Sequence, residues 1–535
     1  MTRPTAEARR CIVGKRTLPS SGRSRLAFGA VAVLAVGLLL TACGSSSPSS
    51  KSGSGSQATK VSIATDTFPA AEGNPFASGY AGQGVWVLPA IFNTLTDGTA
   101  SGIKPELALS WTMLDPTTWQ FQLRKGVKFS DGETFDASTA AFTFNYLASS
   151  AGKQTVDGSN TPTLQGAKAT GPYTLQISTT VPTLDLPGLV DQDDIVAPAA
   201  WTRLGPSNFA LHPVGTGPYK VTQWSANEIY FQGFSGSWQP PQYKTMDIIL
   251  IPSEPSGFAA LQSGEVQVLY DPSLTDMITA EHSSSLYVTK YVTPNTFGLQ
   301  FLTSPGSPIM NVNVRIALNY AVDRSAIVQL LGGVTSAASQ GIGTGVTGND
   351  PSLSDIPYDP SKAKSLLASA GYANGFSLTA AVVSQPVLGS QEVLTLLQSQ
   401  LAKVGVHLTY QSLPFAQWLD DFLAGKYPGA QLTTISYSST PQFDGYLPLS
   451  RGSCIEVPKP LWCTEPQGEL LSAANGTTSA SVRAADLVKV EANERQDPPA
   501  IWLYHLVSAA IASSQVKASM TQIGSIDFAT LGPAG

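Results

Sequence analysis

Four histidines, four cysteines, adjacent acid pairs and one glycine-spaced loop are the places where this 535-residue chain could do chemistry. The histidines, His212, His282, His407 and His505, lie far apart, and none has a neighbour at metal-ligand spacing. Asp193-Asp194 and Asp420-Asp421 could share a proton, but no base or metal partner stands near either pair in sequence. The segment Gly343-Thr344-Gly345-Val346-Thr347-Gly348 has the spacing of a phosphate loop. It neither follows an expected strand nor opens a helix, so it reads as an ordinary loop. No nucleophile elbow or zinc helix motif occurs. These absences point away from a hydrolase and toward a protein that binds without transforming.

The cysteines are informative in another way. Seven basic side chains between Arg3 and Arg25 precede an apolar run, AFGAVAVLAVGLLL, at 27–40. At 14 residues it is short for a permanent membrane span. It ends in Leu40-Thr41-Ala42-Cys43-Gly44, which resembles a bacterial lipobox, in which the cysteine thiol takes diacylglycerol and becomes the first mature residue. Residues 1–42 are therefore expected to be a lipoprotein signal peptide. Residues 43–59, rich in Ser and Gly, would form a lipidated flexible tether holding the protein at the outer face of the cytoplasmic membrane. Outside the cytoplasm, Cys454 and Cys463 are expected to form a disulfide.

The first 42 residues carry seven basic side chains and one acidic one, of totals of 31 and 37. The remainder holds 24 and 36, a net charge of −12, which argues against nucleic acid or another polyanion as partner. Apolar residues make up 42% and charged residues 13%. With 48 Gly and 38 Pro, this is a loop-rich globular chain long enough for several domains.

The elements that would position any site can be read from periodicity. Val61, Ile63 and Thr65 alternate in a first strand at 60–66, and 87–96 reads as a short helix. In WQFQLRKGVKFSDGETFDA (119–137), Trp119, Phe121 and Leu123 share a face, and a turn at 124–126 leads to Val127 and Phe129. A second turn at Asp131-Gly132 precedes an N-cap at Asp136 and a helix with Ala140, Phe144 and Leu147 inward. This reads as hairpin, turn, helix. Further on, a helix within 358–372 starts with Asp359-Pro360 and stops at Gly371. A strand at 376–383, a helix at 390–405 and a strand at 406–411 have the grammar of a parallel crossover. A helix at 418–423 and a strand at 431–436 follow.

Five segments, in this order, resemble blocks of the family 5 solute-binding proteins of ABC importers, which include dipeptide, oligopeptide and nickel binders. They are Leu123–Gly132 (LRKGVKFSDG), PVGTGPYKV at 213–221, ALQSGEVQV at 260–268, VNVRIALNYAVDRSAIV at 312–328 and YDPSKAKSLLASAGY at 358–372. The resemblance spans nearly all of the chain after the tether. It implies an α/β, two-lobed periplasmic-binding-protein type II fold with an extra subdomain inserted in the first lobe. Lobe I would comprise 60–96, 213–290 and 500–535, the insertion 97–212, and lobe II 291–499. It further implies a monomer without cofactor that closes on a small solute and docks on an ABC permease with its ATPase subunits. The solute would be peptide or peptide-like, with nickel chelates, sugars and opines as alternatives. A ligand-sensing lipoprotein of the same fold and a secreted hydrolase are the competing functions.

In peptide-binding relatives an Asp in a loop late in the second lobe meets the peptide's amino group. Here that loop reads YSSTPQFDG (437–445), and Tyr437, Ser439 or Thr440 falls where the Asp would be, with Asp444 too late. A modified, cyclic or neutral ligand, or a rearranged loop, would each fit. The candidate contacts are Tyr437, Ser438, Ser439 and Thr440, with Thr67 and Phe68 after the first strand, Trp86 and Trp418. Core packing is the competing role for Phe68, Trp86 and Trp418, and a solvated loop is the competing role for Tyr437 and Ser438. The resemblance also implies a disulfide-bearing loop at Cys454 and Trp462-Cys463.

Overall fold

The computed structural model describes residues 59–534 apart from 79–83, 385–386, 440–441, 456–459 and 463–464. The signal, Cys43 and the tether lie outside the described residues, as do Thr440 and Cys463. Cys454 is disulfide-bonded.

The chain starts with β1 (Lys60–Thr65), whose residues after Lys60 are buried. A hairpin, β2 (Thr96–Thr99) and β3 (Gly102–Pro105), leads into β4 (Ala108–Asp115) and β5 (Thr118–Leu123). With β6 (Leu164–Gly171) and β7 (Thr174–Thr179), the last two form a four-stranded antiparallel sheet in the order β4-β5-β7-β6. The helix Ala137–Ala148 packs on it and starts as the sequence requires. Asp136 accepts from the amides of Ser138 and Thr139 at 2.8 and 2.9 Å, and Thr139 Oγ1 accepts from the Asp136 amide at 2.8 Å, a capping box.

Next come β8 (Tyr219–Trp224), β9 (Glu228–Gly233), β10 (Thr245–Leu250), β11 (Val268–Tyr270) and the long β12 (Leu286–Phe301). Then follow β13 (Phe376–Val383), β14 (Val406–Leu413), β15 (Leu432–Tyr437) and the long β16 (Ala500–Ser513). All nine and β1 join one sheet, in the order β14-β13-β15-β12-β16-β11-β1-β10-β9-β8. The crossover is as expected: β13 and β14 are parallel over their whole length, joined by the helix Ser390–Ala402, whose Val393, Leu397 and Leu401 are fully buried.

Only β12 and β16 run the full depth of this sheet. One end of their ladder pairs Leu286–Val292 with Ser513–Val507, and the other pairs Thr296–Gln300 with His505–Ala500. Between them the register shifts at Val292/Thr296, where Pro294 lacks an amide to donate. Separate hydrophobic cores flank this break. One gathers Val61, Phe121, Phe144, Ile177 and Ile248, so residues 97–212 share a core with β1 and β10. The other gathers Leu299, Leu318, Leu378, Val393 and Leu397.

Two local expectations fail. Residues 87–96 do not form one helix: a 3-10 turn covers Val85–Ala90, and Thr96 opens β2. Glu106 intervenes, accepting from the Thr94 amide at 3.0 Å and Asn93 Nδ2 at 2.7 Å, which holds the chain extended there. Nor does β5 fold back on Val127–Phe129, because β4 and β7 already occupy both of its edges. Val127 and Phe129 are nonetheless buried, and a single bridge, Lys128 to Thr134, marks the second turn.

Candidate functional site

Strand direction locates the site. β10 and β11 both run parallel to β1, with Thr65 level with Leu250 and Ile63 level with Val268. β11 is antiparallel to β16, Tyr270 lying opposite Ala510, so these three strands end toward the register break. On the other side β15 is antiparallel to β12 with Tyr437 opposite Thr296, and β13 runs parallel to β15. Carboxyl ends of parallel strands from both halves thus converge on residues 293–295. Open α/β sheets place ligands outside such ends, where loops are free of the ladder.

Thr67 and Phe68 leave β1 at this point and are half-buried. Thr67 is braced by Thr65, whose Oγ1 accepts from the Thr67 amide at 3.4 Å. Phe68 meets Trp224 edge-on with ring centres 6.4 Å apart. Its backbone lies so close to Gly84 that a Cβ there would sit 2.3 Å from the Phe68 carbonyl carbon. Trp86 stacks on Tyr270 at 4.0 Å and is 6% exposed. The Tyr270 hydroxyl donates to the Gly524 carbonyl at 2.7 Å, and burial pushes this phenol's pKa up.

Ser438 and Ser439 leave β15 toward the same break. Ser438 is half-buried. Ser439 is fully buried, its amide donates to Asn295 Oδ1 at 2.8 Å, and its Oγ has no partner among the described residues. Tyr437 points into the second half: its hydroxyl donates to Gln300 Oε1 at 2.8 Å and its ring packs on Trp502 at 4.3 Å. Trp418 belongs to the same cluster, with Nε1 donating to Thr433 Oγ1 at 2.9 Å and its ring stacked on Phe422. Thr67, Phe68, Ser438 and Ser439 therefore gather at the converging ends, while the side chains of Trp86, Trp418 and Tyr437 pack into cores. Asp444 turns away from the break: its carboxylate takes two hydrogen bonds from Arg483, at 2.9 and 3.1 Å.

Sequence reasoning passed over Asn295 and His505. Both sit at the break, where Thr296 Oγ1 lies 3.2 Å from His505 Nδ1, and burial lowers the pKa of His505. A Pro-Asn pair inside a long alternating run was the available signal. The glycine-spaced loop also closes on the break. Gly343 donates its amide to the Pro294 carbonyl at 3.0 Å, and a Cβ on Gly343 would sit 2.7 Å from Pro294 Cα. The loop opens no helix and is built for close packing.

Among the described residues no group of three or more His, Cys, Asp or Glu could hold a metal ion, and no helix is long and apolar enough to cross a membrane. A small cavity lined by polar and apolar groups, among them Gln340, Ile356, Glu491, Glu494, Arg495 and Trp502, lies at the second half's end of β16. Burial raises the Glu491 carboxyl to about 8 there.

A sequence profile described as "Bacterial extracellular solute-binding proteins, family 5 Middle" matches residues 102–453. The chain is 26% identical over 465 residues to the dipeptide-binding protein of Escherichia coli strain K12, covering 80% of this chain and 86% of that one. It is 30% identical over 324 residues to the glutathione-binding protein GsiB of Escherichia coli O157:H7, covering 57% and 60%. Among solved structures, the substrate-binding protein CtaP of Listeria monocytogenes superposes with a TM-score of 0.79 at 17% identity, covering 90% of this chain and all of that one. The periplasmic binding protein DppA of Helicobacter pylori, in complex with the peptide STSA, superposes at 0.74 and 20% identity, covering 90% and 99%. These superpositions identify the fold as the two-lobed periplasmic-binding-protein type II fold.

Proposed function

Because this chain belongs to the bacterial extracellular solute-binding proteins of family 5, and is a binding protein and not an enzyme, we propose that it captures a peptide-like solute between two closing lobes and delivers it to an ABC permease. The observation that carries this reading is the convergence of strand carboxyl ends from both halves on the break in β12 and β16. A solute seated there touches Thr67 and Phe68 on one side and Ser438 and Ser439 on the other, so it gains its full contacts only when the lobes close. Lobe I is formed by 60–96, 213–290 and 500–535, carries 97–212 as an insertion, and faces lobe II at 291–499, with the start of β16 reaching into the core of lobe II through Ile501 and Leu503. A thioether-linked lipid at Cys43 keeps the protein beside the permease, as the lipobox residues indicate.

The ligand's chemistry follows from the loop after β15. Asp444, its one carboxylate, already pairs with Arg483, so no free anion is left in that loop for a peptide ammonium. Peptides with a blocked, modified or cyclised amino end are the expected ligands. A thermal-shift and calorimetric panel of di- to pentapeptides, their N-acetylated forms, glutathione and the nickel–histidine complex tests this. Blocked peptides are expected to raise the melting temperature in a saturable way and unblocked ones to bind weakly. Tight binding of unblocked di- to pentapeptides would refute the reading of the loop.

A further inference from the structure

Arg483 projects from the helix Ala480–Gln496 and is 4% exposed. Its guanidinium meets two carboxylates from different parts of the molecule. Nε and Nη2 donate to Asp444 at 3.1 and 2.9 Å, and Nη2 also donates to Asp185 Oδ2 at 3.0 Å. Nη1 donates to the Ala474 carbonyl at 3.3 Å, and the Tyr446 ring lies 5.3 Å below the cation. Asp444 belongs to the loop that follows β15, and its Oδ1 also accepts from the Tyr446 amide at 2.8 Å. Asp185 lies in the segment 97–212, on the other side of the register break.

Asp185 and Arg483 lie beside separate cores. Leu186 and Val190, next to Asp185, pack with Val61 and Ile248. Leu487, one turn from Arg483, packs with Ile342, Val346, Phe443 and Leu449. Besides β12 and β16, the contacts between the two sides include the packing of Val334 and Leu388 with Ala64 and Phe258, the Asp185–Arg483 pair and two close approaches. A Cβ on Gly188 would lie 3.4 Å from the Gln442 carbonyl oxygen, and one on Gly345 would lie 2.9 Å from Ala100 Cβ.

We propose that Arg483 is a positioning residue that clasps the lobes: it holds the site loop through Asp444 and catches Asp185 of the facing lobe on closure. The proposal rests on the two-lobe reading above and adds a device to it. When the lobes part, Arg483 keeps its paired hydrogen bonds to Asp444, so the buried cation is never left uncompensated. Asp185, 28% exposed at the side chain, passes to water with little loss. Closure therefore adds a second carboxylate to an already neutralised cation, and the contact biases the balance without locking it. The same guanidinium steadies Asp444 and Tyr446 in the site loop, and its coupling to Asp185 links that loop to lobe closure.

Hydrogen exchange read by mass spectrometry on the full chain in detergent, with no solute added, tests this apart from any ligand. In Asp185→Asn, exchange at 183–190, at 97–102 and at 442–446 is expected to rise together by about tenfold, with 119–123 unchanged. Segment 97–102 does not touch Arg483, so its joint response reports lobe opening and not a frayed contact. Asp185→Glu is expected to restore protection at all three. Unchanged exchange in Asp185→Asn, or a rise confined to 183–190, would overturn the clasp. A chain that binds no peptide yet opens in this concerted way removes the peptide reading alone.

Discussion

Replacing Glu106 by Gln should change how stability depends on pH. Glu106 is half-buried, with Oε1 accepting from Asn93 and Oε2 from the amide and hydroxyl of Thr94. Burial raises its carboxyl from 4.5 to about 7, those hydrogen bonds pull it back, and the charge of Asp97 adds to the rise. Asp194 close by is raised to about 8, by burial first and then by Glu106 itself, and burial likewise raises Asp191 and Asp193. Arg124 spends its guanidinium on the Glu106 backbone carbonyl, not on the carboxylate. The native state thus keeps a proton on Glu106 that the unfolded chain loses above its own pKa near 4.5. Its contribution is complete below that pH and is lost as pH rises through about 7. A shift of this size is worth roughly 3 kcal/mol at about 1.4 kcal/mol per pH unit. In Glu106→Gln that slope should vanish. The amide NH2 would face donors from Asn93 or Thr94 at a cost of about 1–3 kcal/mol, so the variant should be the less stable at pH 5. The two stability curves should converge by pH 8. Urea unfolding at pH 5, 6, 7 and 8 reads this directly, and parallel curves for wild type and variant would refute the argument.

Three other outcomes follow from the same geometry. Gly343→Ala would drive a Cβ against Pro294 backbone, at an expected cost of about 1–3 kcal/mol in urea unfolding, and wild-type stability would deny that contact. Asp136→Ala should cost about 1 kcal/mol through loss of the capping box, measured the same way. Cys43→Ala should move the protein from the membrane fraction to the medium, and its retention in membranes would remove the lipid anchor.

Local rules carried the reading furthest where one segment decides its own shape. Asp136 before Ala140, Phe144 and Leu147 gives cap and buried face together, and 376–411 carries its crossover in period alone. The rules failed where a distant partner decided. Glu106 holds Asn93 and Thr94 out of a helix, and β7, more than fifty residues on, takes the edge of β5 that Val127 and Phe129 would have filled. The site behaves the same way. Thr67 and Phe68 were marked by lying just after a strand, but Asn295 and His505 gain meaning only when β12 meets β16 across 200 residues of chain. Tyr437 shows the converse: an aromatic at the right loop still turns inward, because Gln300 and Trp502 offer its hydroxyl and ring a buried place.

An X-ray structure of the chain grown with the tightest-binding member of the peptide panel addresses the main claim most directly. The expected result is one intact solute between Thr67–Phe68 and Ser438–Ser439, with Arg483 within hydrogen-bonding distance of both Asp185 and Asp444. A solute seated on the outer face of one lobe, or recovered in pieces, would contradict it.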